Sequence, residues 1–193
     1  MKKHTACRTI VVLFLCTFLL LGVACSSEPG SAGKNELPIG EFQKAEAESY
    51  QFPDLPWGTS SEEASDGMPL EGSSTPPRGG QTYFASQKEY TWNGQSGSAE
   101  LEFFNDKLGS IAFEFTLSPD DTAWYTERLE DLTALYGDPD SRADHAIGNG
   151  ETCRWTAEDS ELQLSSLPTN KQILVTVKLV SKDVVDAYAQ AAS

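Results

Sequence analysis

The sequence predicts an α+β domain in which an antiparallel sheet carries its helices on one face. Apolar and polar residues alternate over 108–117, which is the period of a strand with one buried face. An apolar stripe with spacings of three and four residues follows at 125–136 and indicates an amphipathic helix. The segments come in the order helix, strands, helix, strands, and this order suggests two tandem halves.

The first 24 residues have the profile of a cleavable export signal. Lys2, Lys3 and Arg8 form a basic start, and the stretch Ile10–Leu21 is almost wholly apolar. A helix needs about 20 apolar residues to cross a bilayer, so this stretch is short for a permanent span. We therefore expect export followed by cleavage after Ala24.

The residues Leu21–Cys25 resemble the lipobox of bacterial lipoproteins, although Gly22 stands where that family prefers leucine. The resemblance implies that Cys25 becomes the first residue of the mature chain and carries a diacylglycerol that attaches it to the membrane. Two acyl chains suffice for stable anchoring. The expected location is the extracytoplasmic side of the cell membrane or envelope. An ordinary secretory signal with an incidental cysteine is the alternative.

The charge of the chain narrows the choice of partner. The precursor has 14 basic and 29 acidic residues, a formal charge of −15. Loss of the three basic residues of the signal leaves 11 basic residues and a charge of −18. Phosphate repels such a chain, which excludes nucleic acid as a partner. Anionic lipid headgroups repel it as well, so the acyl chains must supply the membrane attachment.

Residues 25–51 are predicted to be a flexible tether, because Ser, Gly, Glu, Ala and Lys dominate them and bury little apolar surface. Large apolar residues resume at Phe52, Leu55 and Trp57, between prolines. The folded domain is therefore expected to span 52–193, a usual length for one domain.

The first half of this domain is predicted to contain one short helix and four strands. Ser60 and Glu63 form a capping-box pattern at the start of the helix. The Pro-, Gly- and Ser-rich stretch 68–81 is predicted to be a loop. Turns are expected at Asn93–Gly94 and at 105–107. The strands are expected at 83–84, 89–92, 98–104 and 108–117.

The second half is predicted to begin with a longer helix. Ser118 is its expected N-cap, Pro119 its first residue and Gly137 its C-terminal stop. The apolar stripe of this helix consists of Tyr125, Leu129, Leu132 and Tyr136. Strands are expected at 153–156, 162–165 and 173–179, followed by a helix at 181–192.

Three short segments resemble small exported lipoproteins of unknown function. They are Trp57–Ser60 with Glu62 and Glu63, the hairpin Phe104–Leu108, and the helix end Leu135–Pro139. Those lipoproteins are similar in fold to the β-lactamase inhibitory protein and to small outer-membrane assembly lipoproteins. The resemblance implies a protein-binding or assembly role by analogy of fold.

The chain is poor in residues for nucleophilic and acid–base chemistry. Cys7, Cys16 and His4 leave with the signal, so Cys153 and His145 are the candidates that remain. Cys153 shares a strand face with Trp155, which favours a small buried hydrophobe over a reactive thiol. His145 lies in the predicted loop 138–150, and a solvated loop histidine is favoured over a triad member.

Two acidic groups are candidates for binding or catalysis. Hard oxygen ligands for calcium gather in one predicted loop, but their spacing departs from an EF-hand, so a solvated acidic loop is favoured over a weak site of another geometry. They are Asp138, Asp140, Asp144, Asn149 and Glu151. Strand alternation places Glu100, Glu102 and Glu114 on one outward face, where a solvated surface is favoured over a glycosidase carboxylate pair.

No cofactor is expected, because the chain has no glycine-rich phosphate cradle or dinucleotide fingerprint. We expect a tethered module that binds another exported protein through the outward sheet face. That face is predicted to carry Glu100, Glu102, Glu114, Arg154, Glu161, Gln163 and Lys178. A small cell-envelope enzyme or a ligand- or calcium-binding lipoprotein is the alternative.

Overall fold

The computed structural model describes residues 35–44, 49–73, 77, 79–146 and 149–191. Strands make up 45% of these residues and helices 24%, so the predicted α+β class holds with the sheet as the larger part. The predicted signal 1–24 and the predicted lipidation site Cys25 lie outside the described residues.

The strands include every predicted strand, most of them longer than expected, and three α-helices accompany them. The helices are α1 (Ser61–Gly67), α2 (Thr122–Tyr136) and α3 (Lys182–Ala191). The strands are β1 (Asn35–Glu36), β2 (Gln43–Lys44), β3 (Ser49–Tyr50), β4 (Leu70–Gly72), β5 (Gln81–Ser86), β6 (Tyr90–Trp92), β7 (Gln95–Phe104), β8 (Leu108–Leu117), β9 (Ser141–Asp144), β10 (Glu151–Thr156), β11 (Ser160–Pro168) and β12 (Ile173–Ser181).

Ten of these strands form one mixed sheet. Its main path runs β1-β6-β7-β8-β12-β11-β10-β9, with β5 beside β7 and β4 beside β5. The pair β1–β6 is parallel and the other pairs are antiparallel, so the predicted antiparallel sheet needs this one correction. The last strand between α1 and α2 is β8, and the last strand after α2 is β12. These two strands pair with each other. Strands β2 and β3 form a separate pair.

One face of the sheet is the core. Ile111, Phe113 and Phe115 of β8 have no exposed surface, and neither have their neighbours Val175 and Val177 of β12. Residues between them point the other way, because successive side chains of a strand lie on opposite faces. The predicted alternation of β8 and β12 is therefore confirmed.

Helix α2 covers this core. The Trp124 ring lies 5.6 Å from Trp92 and 5.4 Å from Phe115, measured between ring centroids. The helix begins at Thr122 rather than at Pro119, because the Asp121 amide donates to the Ser118 carbonyl and closes a separate turn. It ends at Gly137 as predicted.

Helix α3 reaches the sheet from the other side. Its Tyr188 ring packs 5.3 Å from Phe104, whose neighbour Phe103 belongs to the core. Because neighbouring residues of a strand face opposite ways, α3 covers the end of the non-core face at the β7–β8 turn. The prediction that the helices pack on one face therefore does not describe α3.

The predicted tether is wrong for the described residues 35–44 and 49–51. Leu37, Phe42 and Tyr50 are 2%, 0% and 5% exposed and belong to the core, and β1 pairs with β6. Each of these apolar residues lies among polar ones, so the average composition of the segment does not indicate that it packs on the domain. The sheet supplies the apolar surface that they cover, which places the start of the packed domain before Phe52.

Two predicted loops contain strands. The loop 68–81 includes β4, which pairs with β5, and the loop 138–150 includes β9, which pairs with β10. Both are short and polar. Backbone pairing with a neighbour defines them, since their side chains show no apolar alternation.

Candidate interaction surface on the non-core sheet face

The non-core face of the sheet presents a row of side chains across five adjacent strands. In register from β7 to β10, the row consists of Glu100, Ala112, Lys178, Gln163 and Arg154. The parallel row on one side of it carries Glu114. The parallel row on the other side carries Glu102 and Glu161. We call this surface the polar face. It brings together all seven residues that the sequence places outward.

The carboxylates of the polar face differ in their exposure to solvent and in their hydrogen bonds. Glu114 is exposed, whereas the Glu102 side chain is only 14% exposed. The Glu102 carboxylate accepts a hydrogen bond from Ser110 at 3.0 Å and lies 3.6 Å from Lys178 Nζ. Glu100 accepts from the Ser73 hydroxyl. The expectation that all three glutamates are freely solvated therefore holds for Glu114 alone.

Helix α3 bounds the polar face at one end. The Tyr188 hydroxyl accepts from the Gly80 amide at 3.2 Å, which ties the helix to the segment before β5. A mostly apolar cavity of about 360 Å³ separates α3 from the β7–β8 turn, with Phe104, Val184 and Ala187 in its lining. The polar face is thus a broad, charged surface beside one shallow cleft, a shape suited to a macromolecular partner.

The candidate calcium ligands, for which a solvated acidic loop is the favoured interpretation, are brought together only in part. Asp144, Asn149 and Glu151 line one cavity of about 370 Å³ with Tyr125. Asp140 instead accepts from the Thr156 amide at 2.6 Å. Across the described part of the chain, no group of three or more acidic, cysteine or histidine side chains has the arrangement of a metal site.

Cys153 is buried, as predicted, and contacts two residues that line this cavity. Its side chain is fully buried, and the thiol sulfur lies 3.8 Å from the Tyr125 hydroxyl and 3.9 Å from Glu151 Oε2. Burial raises the pKa of the Cys153 thiol and also that of Tyr125. The thiolate is the reactive form of cysteine, so this environment disfavours nucleophilic chemistry.

His145 has a structural partner. Its Nε2 lies 2.7 Å from the Thr152 hydroxyl, and its amide donates to the Gly150 carbonyl at 2.7 Å. These contacts hold the connection between β9 and β10.

The sequence reasoning missed Arg128, the buried cation of α2. It is 6% exposed, its guanidinium carbon lies 5.3 Å from the Trp124 ring centre and 5.7 Å from that of Trp92, and its Nε lies 2.8 Å from Asp131 Oδ2. The spacing of Trp124, Arg128 and Asp131 along one helix is a signal that could have found it. This cluster fixes α2 on the core.

Comparison with known proteins leaves the family of this chain open. No protein-family model matches the sequence, and no curated protein matches it. Among solved structures, the chain is similar to a DUF4309 family protein (YjgB) from Bacillus subtilis subsp. subtilis str. 168, with 12% sequence identity and a TM-score of 0.43. The alignment covers 75% of this chain and 90% of that one.

A similarity at this level carries no argument about function. The comparisons show neither a lipoprotein family nor a β-lactamase-inhibitory-protein-like family, so both resemblances stay predictions. In the described ranges, no helix is long and apolar enough to cross a bilayer.

Proposed function

We propose that this chain is an exported lipoprotein that binds another exported protein through the polar face. The observation that carries the proposal is the row from Glu100 to Arg154, which runs in register across five strands and presents charged or amide side chains from four of them. Long flat rows of this kind suit contact with a protein surface, whereas enzymes use concave pockets.

The charge of the polar face favours a basic partner. The polar face carries four glutamates and two basic residues, Arg154 and Lys178. Lys178 lies close to Glu102. Complementary charge accelerates association and makes it sensitive to salt. Glu114 is the most accessible of these carboxylates, since it is exposed and lies between Ser98 and Thr176.

Attachment through Cys25 would keep the domain close to the membrane. The acyl chains supply the affinity, because the mature charge of −18 opposes contact with anionic headgroups. The resemblance to small assembly lipoproteins supports the same role by analogy of fold.

Site-specific photo-cross-linking in the intact cell envelope tests this proposal. A cross-linking residue at Glu114 should capture a defined protein, and the same residue at Glu62, an exposed position on α1, should not. Adding Glu100→Lys should weaken capture at low salt more than at high salt. Equal capture from positions 114 and 62 would show that the polar face is only solvated surface.

A small-ligand role is the second candidate, because Asp144, Asn149 and Glu151 line one cavity with the Tyr125 ring. Calcium titration by calorimetry tests it. Heat that disappears in Glu151→Gln but persists in Asp138→Asn would favour this candidate over the polar face.

A further inference from the structure

Among the strands that the structure describes, β9 leaves one edge of the sheet open. It is the last strand in the sheet order and pairs with β10. Its four residues, Ser141–Asp144, are exposed. An open edge offers unpaired amides and carbonyls to any strand that can align with it.

The direction of these backbone groups follows from one hydrogen bond. The His145 amide donates to the Gly150 carbonyl, so this pair is a hydrogen-bonded pair of the antiparallel ladder. Such pairs alternate, which turns the backbone of Ala143 toward Thr152 of β10. The amides and carbonyls of Arg142 and Asp144 therefore point away from the sheet.

We propose that β9 pairs antiparallel with β9 of a second copy, about a two-fold axis through Ala143. This axis places Arg142 opposite the second copy's Asp144 and Asp144 opposite the second copy's Arg142. Both are positions with outward backbone groups, so the ladder continues without a shift in register. Each copy contributes the same patch, as a two-fold interface requires.

The charges of the edge select a second copy as the occupant. Arg142 and Asp144 have opposite signs, lie one residue on either side of Ala143, and share the core-side face of the strand. Within the described ranges, neither forms an ion pair. Opposite charges directly across a strand pair are stabilising and like charges are destabilising.

The neighbourhood leaves room for the second strand's side chains. A cavity of about 470 Å³ lies between α2 and β9, with Leu129, Thr133 and Arg142 in its lining. Side chains that a second copy brings to this face meet open space rather than packed atoms.

Disulfide trapping of the full-length protein in its own membranes tests the register. Ala143→Cys should form a covalent dimer on mild oxidation, because residues facing each other in a non-hydrogen-bonded pair have Cα atoms about 4.5 Å apart, within the range of a disulfide. Ser141→Cys is the matched control. Two copies of position 141 lie four residues apart along the proposed pair, so this variant should stay monomeric. The unsubstituted chain shows the background, which should be low because Cys153 is buried and the proposed lipid occupies the Cys25 thiol.

Charge exchange in the Ala143→Cys background separates pairing from collision. Arg142→Asp places carboxylates opposite each other and Asp144→Arg does the same with guanidiniums, so each should abolish the dimer. The double variant restores opposite charges and should recover it. Equal cross-linking at positions 141 and 143, no dimer at all, or no recovery in the double variant would overturn the proposal and leave Arg142 and Asp144 as charges that protect the edge.

Discussion

Asp106 accepts two hydrogen bonds from Ser61. Its Oδ1 lies 3.0 Å from the Ser61 amide and 2.7 Å from the Ser61 hydroxyl. The contact joins the β7–β8 turn to the first residue of α1, which is 45 positions away in the chain. The short helix is thereby held at the end of the hairpin.

Asp106→Asn should therefore destabilise the fold near neutral pH by about 1 kcal/mol or less, because the two hydrogen bonds with Ser61 are exposed to water. Asparagine keeps the tolerance for the positive φ of +59° at this position. The hydrogen bonds from the Ser61 amide and then from its hydroxyl lower the Asp106 pKa below 3.8.

The sign of the pH dependence follows from that lowered pKa. The stabilising contribution of Asp106 is fully present above pH 3.8 and is lost as the pH falls through the folded pKa. Urea unfolding should show the difference between wild type and variant shrinking only in this acidic range. Asp120→Asn, which removes another exposed carboxylate, is the control for the loss of one negative charge. A gap that is constant with pH would contradict the role of the carboxylate.

Phe42→Ala should cost about 3 to 5 kcal/mol of unfolding free energy, as for other buried phenylalanines. Phe42 has no exposed surface and stacks 6.4 Å from Phe113. Gln43→Ala, its exposed neighbour, should cost under about 0.5 kcal/mol. If both substitutions had equally small effects on urea unfolding, Phe42 would not be part of the core and the predicted tether would hold for these residues.

Arg128→Ala should destabilise the domain by roughly 2 to 3 kcal/mol, because it removes a buried charged hydrogen bond and a cation beside two aromatic rings. Thermal unfolding of Arg128→Ala and of Glu130→Ala, an exposed substitution on the same helix, compares the two. Trp92 and Trp124 should also gain solvent exposure in the Arg128 variant, which their fluorescence reports. An effect no larger than that of Glu130→Ala would contradict a structural role.

Cys153 should resist a thiol reagent in the folded protein and react after denaturation. The thiol is fully buried and its pKa is raised. The measurement is the labelled fraction over time with and without urea. Rapid labelling of the native chain would mean that the cavity above Cys153 opens to the thiol.

Cys25→Ala should yield an uncleaved or mislocalised precursor without attached fatty acid. The prediction rests on the lipobox resemblance, since the processing enzyme needs the lipid-modified cysteine. Metabolic labelling with a fatty acid compares the variant with the wild type. Ser26→Ala, a neighbouring change that keeps the cysteine, should label normally, and equal labelling of Cys25→Ala would disprove lipidation here.

The parts of the fold that the sequence predicted are those with local causes. The alternation in β8 and β12 and the capping box of Ser60 and Glu63 depend on residues close in the chain, and the structure contains all three. Strands β4 and β9 were missed because backbone pairing with the next strand defines them, while their side chains show no apolar alternation. Leu37 and Phe42 were missed because they need the assembled sheet to become core.

The polar face shows the same division. Period-two alternation was enough to place Glu102 and Lys178 on one face. It could not give the hydrogen bond from Ser110 or the approach of Lys178, since both depend on the register of β7 with β8 and of β8 with β12. The side of the sheet that α3 covers depends likewise on the contact of Tyr188 with Phe104.

Because β1 pairs with β6, fewer residues separate a lipid on Cys25 from the packed domain than the predicted tether 25–51 would allow. A tether that ended at residue 51 could let the domain drift to about 90 Å from its anchor, whereas one that ends at Asn35 reaches at most about 35 Å. The β1 edge and the β9 edge lie at opposite ends of the sheet path, roughly 34 Å apart at the usual strand spacing. A lipid-anchored copy could therefore meet only those partners that lie within about 70 Å of the bilayer, which is the sum of these two lengths.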